Sequence, residues 1–264
     1  MNQIYKFPRT QHIFGSKLQK GDEDLVNVPF EQIRGRNIIV EEKVDGANSG
    51  ISIVDGELML QSRGHYLTGG YRERHFDLLK TWANNWSQQF KELLGERYVM
   101  YSEWLYAKHT VYYDVLPHYN MEFDILDVEN NVFLDTPTRQ KILKDFPFIH
   151  SVKVLFEGKL DDVNQLHDMV VKSHFITHNK NESLTNEIIK QGQFHNHDDI
   201  FKQTDSGNLM EGLYIKVEED GIVKERYKFV RQGFLQVVSD SESHWLDRPI
   251  IPNKLNCDIN DLFV

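Results

Sequence analysis

Alternation and periodicity divide the chain into legible blocks. Asn37–Val44 predicts a strand, with a turn at Asp45-Gly46. Ser49–Val54 and Glu57–Ser62 are two further strand patterns joined by Asp55-Gly56, the dipeptide that favours a two-residue hairpin turn. Phe76, Leu79, Trp82, Trp86, Phe90 and Leu93 recur at spacings of three and four. They predict one amphipathic helix closed by Gly95, with both tryptophans in the core rather than on a stacking surface. Arg97–Leu105 and Tyr119–Asp127 read as strands. Thr136-Pro137 reads as an N-cap followed by proline in the first helical turn. Further helices are expected around 161–174 and 183–191. Strand patterns return at Leu209–Val217 and Ile222–Val230, joined by Asp220-Gly221. Strands at both ends with helices between them predict an α+β fold with antiparallel sheets.

Composition narrows the class. The 264 residues are 40% hydrophobic and 27% charged, as in ordinary globular proteins. Cys257 is the single cysteine, which excludes an internal disulfide and a cysteine-based zinc module. No apolar run reaches the roughly 18 residues that a membrane helix needs, and the N-terminus lacks the apolar stretch of a signal peptide. The expectation is a cytoplasmic protein without a membrane partner. Forty acidic against thirty basic residues give a net charge of −10, which argues against a protein that coats nucleic acid non-specifically. Arg63, His65, Arg72, Arg74 and His75 make a local basic stretch against Glu73 alone. By itself that stretch reads as a solvated loop and helix start. His195-Asn196-His197-Asp198-Asp199 has metal-capable side chains but nothing that completes a coordination set, so it reads as a polar loop.

The chemistry concentrates around Glu41-Glu42-Lys43-Val44-Asp45-Gly46. A lysine at a strand end, followed by a turn, can present its amine to a phosphate. Only the neutral amine is a nucleophile, and a reference pKa of about 10.4 leaves roughly one lysine in a thousand neutral near pH 7.4. A site that uses Lys43 must therefore favour its neutral form with neighbouring cations or a metal. Lys-x-Asp-Gly alone is a weak motif, since such tetrapeptides are common in turns.

Later segments change its weight. Ser62-Arg63-Gly64, Tyr101-Ser102-Glu103-Trp104-Leu105, Met121-Glu122-Phe123-Asp124, Glu211-Gly212-Leu213-Tyr214-Ile215-Lys216 and Arg226-Tyr227-Lys228 follow in order. With Lys43-Val44-Asp45-Gly46 this set resembles the motifs of the covalent nucleotidyltransferases, the superfamily of ATP-dependent DNA and RNA ligases and mRNA capping enzymes. Lys6–His12 and Glu103–Pro117 resemble stretches of bacterial and phage RNA ligases, and the resemblance spans roughly residues 5 to 250. Arg226 stands where the last motif usually has lysine.

The resemblance implies a nucleotidyltransferase domain of the ligase type, ATP-grasp-like, with antiparallel sheets flanked by helices. It would comprise an N-terminal segment (1–36) packed on an adenylyltransferase domain (37–235) and a C-terminal tail (236–264). Only 36 residues follow Lys228, too few for the separate OB domain of DNA ligases and capping enzymes. The implied activity is ATP-dependent sealing of 5′-phosphate and 3′-hydroxyl RNA ends through a lysyl-AMP, with Mg²⁺ or Mn²⁺. Lys43 is then the nucleophile, and Lys216 and Lys228 address the α-phosphate with Arg226 as helper. Glu211, backed by Asp45, lies near the metal. Glu103 binds the ribose, Phe123 stacks on adenine, Glu42 sits where the backbone reads the base edge, and Arg63 meets the nucleotide sugar or RNA end. RNA is the implied partner, with an end-processing kinase or phosphatase as a candidate second one. A GTP-dependent capping-type guanylyltransferase, a DNA nick ligase and a non-catalytic nucleotide- or RNA-binding protein are the alternatives.

Overall fold

A computed structural model of the chain describes residues 4–16, 25, 27–234 and 248–264. The expected N-terminal segment and C-terminal tail therefore fall partly outside the described residues, at 1–3, 17–24, 26 and 236–247. In chain order the elements are β1 (Gln11–Ile13), β2 (Asn27–Val28), β3 (Ile38–Lys43), β4 (Ala47–Val54), β5 (Glu57–Ser62), α1 (Asp77–Asn85), α2 (Ser87–Leu94), β6 (Tyr98–Trp104), β7 (Asn120–Asp127), β8 (Val132–Leu134), α3 (Thr136–Leu143), β9 (His150–Ser151), β10 (Val154–Gly158), α4 (Asn164–Met169), α5 (Lys180–Lys190), α6 (His197–Lys202), β11 (Gly212–Glu219) and β12 (Ile222–Val230).

The strands form one sheet in the order β10-β3-β11-β12-β8-β7-β6-β4-β5, antiparallel at every step. Three short pairings are parallel: β1 with β12, β1 with β2, and β7 with β9. The three-residue β8 joins the two halves through Ile222↔Leu134 and Val223↔Phe133 on one side and Leu126↔Phe133 on the other. Both hairpin turns form as their sequences demand. Asp55 and Gly56, like Asp220 and Gly221, take positive φ, the conformation of the turn that matches strand twist.

Each half covers its own core. Ile51, Leu79, Trp82, Phe90 and Ile125 pack between α1, α2 and the β4–β7 half, together with Leu255 and Leu262 from the C-terminal residues. Ile13, Ile33, Val40, Leu213 and Ile215 pack beneath the β3–β11–β12 half. A third cluster, Phe7, Tyr101, Leu126 and Tyr214, lies between them. Asn253 ties the C-terminal residues to the β6–β7 connection: its side chain accepts from Tyr113 N at 2.9 Å and donates to Leu105 O at 2.7 Å.

Local expectations are corrected at four places. The single helix over Phe76–Leu93 is two, broken at Trp86 (φ −98°, ψ 17°) after two asparagines, which are weak helix formers. The break lets the Trp86 ring lie parallel to Phe148 at 4.3 Å while its Nε1 donates to Leu262 O. Asp135, not Thr136, caps α3, accepting from Thr138 N. The His195–Asp199 segment is no loop but a 3-10 turn running into α6, and no metal-binding group of three His, Cys, Asp or Glu exists among the described residues. Glu73 and His75, expected in a solvated stretch, are buried, with the Glu73 carboxylate holding Thr68 N, Gly69 N and Lys80. No described helix is long and apolar enough to cross a membrane.

Candidate active site

Adjacent antiparallel strands β3, β11 and β12 bring three motifs side by side. Gly212 lies opposite Lys43, and Tyr214 lies opposite Lys228. Gly212 is required by that closeness, because a Cβ there would stand 2.0 Å from the Phe229 carbonyl oxygen. From this register Lys43 Nζ donates to Glu211 Oε2 at 2.8 Å. The turn after Lys43 is held from three sides. Asp45 N donates to Tyr113 Oη at 2.7 Å, Gly46 N donates to Glu103 Oε1 at 3.1 Å, and Asp45 Oδ2 accepts from Thr110 N and Val111 N, both at 2.7 Å. Gly46 is also a close-approach glycine, since its Cβ would lie 2.6 Å from Trp104 O.

Above this floor opens a cavity of about 490 Å³, within the range of small-molecule sites. Lys43, Asn48, Arg63, Glu103, Phe123 and Lys228 line it, together with Phe7, Arg9, Thr10 and Tyr214. Phe123 is half-buried, its ring meeting Phe7 at 5.1 Å and Tyr214 at 5.8 Å in edge contacts. Glu42 also lines the cavity, but its carboxylate is turned to Ser173 and His174, accepting from Ser173 Oγ at 2.5 Å and lying 2.8 Å from His174 Nδ1.

Four expected site residues lie outside the cavity lining: Glu211, which meets it through its bond to Lys43 Nζ, and Lys216, Arg226 and Asp45. Lys216 is fully buried, its Nζ 2.9 Å from Glu41 Oε1 and 3.2 Å from Phe123 O, and it is absent from the cavity lining. Arg226 lies with its guanidinium 3.8 Å from the Phe133 ring centroid and is likewise outside the lining. Asp45 spends one carboxylate oxygen on the 110–111 backbone, which makes it an organiser of the turn. Conversely, Phe7, Arg9, Thr10, Asn48, Tyr113 and Tyr214 belong to the site although sequence reading assigned them no role. The signal for four of them was the RNA-ligase-like character of 6–12 and 103–117, which no single residue type explains.

The electrostatics follow from crowding three acids around one base. Burial acts to lower the Lys43 pKa, but Glu211, Glu103 and Asp45 outweigh it and raise the value. Burial lifts Glu103 to about 7 and Glu211 to about 6 against the pull of Lys43. Lys43 is thus an ammonium in this state, and negative charge is in excess. A hard divalent ion suits such a donor set. Mg²⁺ and Mn²⁺ take one or two carboxylates and complete their shell with water and phosphate oxygens rather than with a protein cage. Glu103 and Glu211 supply carboxyls whose values burial raises, and a bound cation would draw both to the ionised form. Asn48 Oδ1 adds a buried oxygen with no hydrogen-bond donor.

These shifts predict a pH dependence of stability. Both acids have folded-state values above their ordinary 4.3 or so, so the folded protein binds extra protons between those limits. Their stabilising contribution is complete below about pH 4 and lost as pH rises through 6 to 7. Thermal melts of the ligand-free protein should fall from pH 5.5 to pH 8, and Glu103→Gln should flatten that slope. A slope unchanged by Glu103→Gln would remove Glu103 as its source.

The fold and cavity define a class, a mixed α/β protein with a large, mainly antiparallel sheet and a lysine–carboxylate pair at the floor of a nucleotide-sized cleft. The chain belongs to the RNA ligase family, whose model matches residues 36–230. Solved structures agree on the fold. The Naegleria gruberi RNA ligase with PPi aligns at a TM-score of 0.56 and 16% identity, over 90% of this chain and 58% of that one. A mutant of the same ligase with ATP and Mn gives 0.54 and 16%, over 88% and 58%. Another, with AMP and Mn, gives 0.52 and 15%, over 90% and 65%. The chain therefore spans about three fifths of the length of these ligases. No curated protein is matched.

Proposed function

We propose that this chain is an ATP-dependent RNA ligase of the covalent nucleotidyltransferase type, joining a 5′-phosphate to a 3′-hydroxyl RNA end. The observation that carries the reading is Lys43 Nζ at the floor of the cavity, bonded to Glu211 and facing a wall of Phe123 and Lys228. The neutral Lys43 amine attacks the α-phosphorus of ATP, forms a P–N bond and expels pyrophosphate. The AMP then passes to the 5′-phosphate oxygen of RNA, regenerating the amine. A 3′-hydroxyl finally attacks that 5′-phosphorus and AMP leaves. Passing through lysyl-AMP and the adenylated RNA end splits one difficult condensation into three displacements, which expel pyrophosphate, the Lys43 amine and AMP in turn.

The residues divide this work. Lys228, on the strand beside Glu211, neutralises non-bridging phosphate oxygens. Phe123 stacks on the purine, and Arg63, exposed at the end of β5, meets the sugar or the incoming RNA end. Glu103 serves twice, fixing the Gly46 amide and taking a ribose hydroxyl with its other oxygen. Glu211, which accepts from the Lys43 ammonium, would release that contact to hold Mg²⁺ or Mn²⁺ with Asn48, the ammonium proton passing to water before the amine attacks. Such an ion, when bound, offsets carboxylate and phosphate charge and so favours the neutral amine. Lys216 and Arg226, given their positions, support the cavity wall rather than touch phosphate.

The test is incubation with α-labelled ATP or GTP and a divalent ion, denaturing electrophoresis, and sealing of matched RNA and DNA nicks. Label from ATP with RNA sealing is expected. Label from GTP alone would reassign the chain to guanylyl transfer, DNA sealing without RNA sealing to a DNA ligase, and absence of label to nucleotide or RNA binding without catalysis.

A further inference from the structure

β7 carries one residue more than β6 offers it. Tyr101 pairs with Asp124 and Ser102 with Glu122, so Phe123 opposes nothing. Such a bulge bends its strand and re-aims a side chain, and Phe123 indeed lines the cavity while Glu122 and Asp124 on either side are fully buried. A bulged carbonyl must find its donors elsewhere. Two buried cations supply them: Arg139 Nη1 from α3, and Lys216 Nζ from β11 at 3.2 Å.

The same cations are anchored to acids on two strands. Arg139 Nη2 reaches Glu41 Oε1 at 2.5 Å and Nη1 reaches Glu122 Oε1 at 3.2 Å. Lys216 Nζ reaches the same Glu41 oxygen at 2.9 Å and lies 3.6 Å from Asp124 Oδ1. Asp124 Oδ2 in turn accepts from Tyr214 Oη at 2.5 Å. Arg139 is 1% exposed and Lys216 fully buried. Glu41 precedes Lys43 by two residues on β3, so the cluster joins the strand of the nucleophile to the bulge that carries the aromatic ring. A nucleotide has a fixed reach from base to α-phosphate, and one rigid frame holds both of its contacts.

We infer that Arg139, acting with Lys216, is a positioning residue for nucleotide binding: its fork holds the Phe123 bulge so that the ring meets the base while Lys43 faces the α-phosphate. This rests on the reading of Phe123 as the base platform. Arg139→Lys keeps the charge, but a single ammonium cannot span Glu41, Glu122 and the Phe123 carbonyl together. ATP affinity of that variant should fall roughly tenfold, a part of what a lost base–aromatic stack costs. Affinity for inorganic tripolyphosphate, which has no base, should be unchanged, and the saturating rate of lysyl-AMP formation should be retained while KM for ATP rises.

The double variant gives the discriminating readout. If Arg139 acts through Phe123, Arg139→Lys should add little loss in a Phe123→Ala background, because effects that run through one group are not additive. Should Arg139→Lys fail to fold, Arg139→Met with Glu122→Gln removes the cation and one carboxylate together and is measured in its place. Calorimetric titration with both ligands checks the prediction. Unchanged ATP affinity, equal losses for ATP and tripolyphosphate, or additive losses in the double variant would overturn it. Wild type that binds ATP without forming an adduct on Lys43 would overturn the proposed activity and leave this test readable. Wild type that binds no ATP would overturn both.

Discussion

Lys43→Ala should form no covalent adduct with ATP, its label falling to background, and should seal no 5′-phosphate RNA. The amine is consumed in the first transfer alone, so sealing of a strand that already carries a 5′-adenylate should persist at a measurable rate. Mass spectrometry of the wild-type adduct should place one AMP on Lys43. An adduct on another lysine, or labelling of the alanine variant, would remove the mechanism. The geometry adds a condition. Lys43 is the cation that holds down the values of Glu103 and Glu211. Its loss leaves both carboxyls more readily protonated, so residual sealing by Lys43→Ala should improve more steeply than wild type as pH rises from 6 to 8. Complete loss of sealing in a well-folded Lys43→Ala would mean that the ammonium also organises the later steps.

The limits of the sequence have a physical shape. Strands β4, β5, β11 and β12 were legible because turn dipeptides at 55–56 and 220–221 join apolar runs, and local chemistry decides such hairpins; β3 was legible from its run up to the Asp45-Gly46 turn. The pairing of β3 with β11, which puts Lys43 against Glu211, joins positions far apart in sequence, and only the family resemblance of the motifs foreshadowed it. The helix break at Trp86 was invisible because Trp86 closes one helix and opens the next, its N bonding Trp82 O and its O accepting from Phe90 N, so the apolar spacing of three and four runs on through it. The cap of α3 was misplaced by one residue because Asp135 and Thr136 are both capping types, and the neighbouring Glu218 takes the Thr136 hydroxyl.

Depth along a strand face was the larger gap. Tyr214 and Lys216 share one face of β11 by the two-residue alternation of strands. The first borders the cavity and the second lies sealed beneath the Phe123 bulge. Periodicity assigns a face and says nothing of what covers it. The bulge itself inserts one residue without any glycine or proline to mark it, and Arg139 sits in a helix whose sequence shows no chemistry. The frame behind the site was therefore the least legible part of it, although Glu41, Glu122, Asp124, Arg139 and Lys216 are all charged types and buried.

Lys216 and Lys228, which sequence alone gave the same role, should separate sharply on substitution. Lys228→Met should fold with near wild-type stability, because its side chain is half-buried and borders the cavity. Its expected loss is catalytic, about 10²–10³ in lysyl-AMP formation, the scale of removing one preorganised charge-stabilising group. Sealing of pre-adenylated RNA should suffer as well, since electrostatic stabilisation serves every transfer through the same pocket. Lys216→Met should act on the fold. It strips a buried cation from Glu41 and Asp124, and breaking a buried pair costs about 3–5 kcal/mol. That is a large part of a total stability of roughly 5–15 kcal/mol, and it should lower Tm by about 5–10 °C. Combining Lys216→Met with Glu41→Gln should recover part of that loss, because the orphaned carboxylate goes with its partner. Thermal denaturation and adduct formation, measured on all three variants, decide the matter. A Lys216→Met protein of wild-type Tm that fails to form the adduct would put this lysine on the phosphate after all.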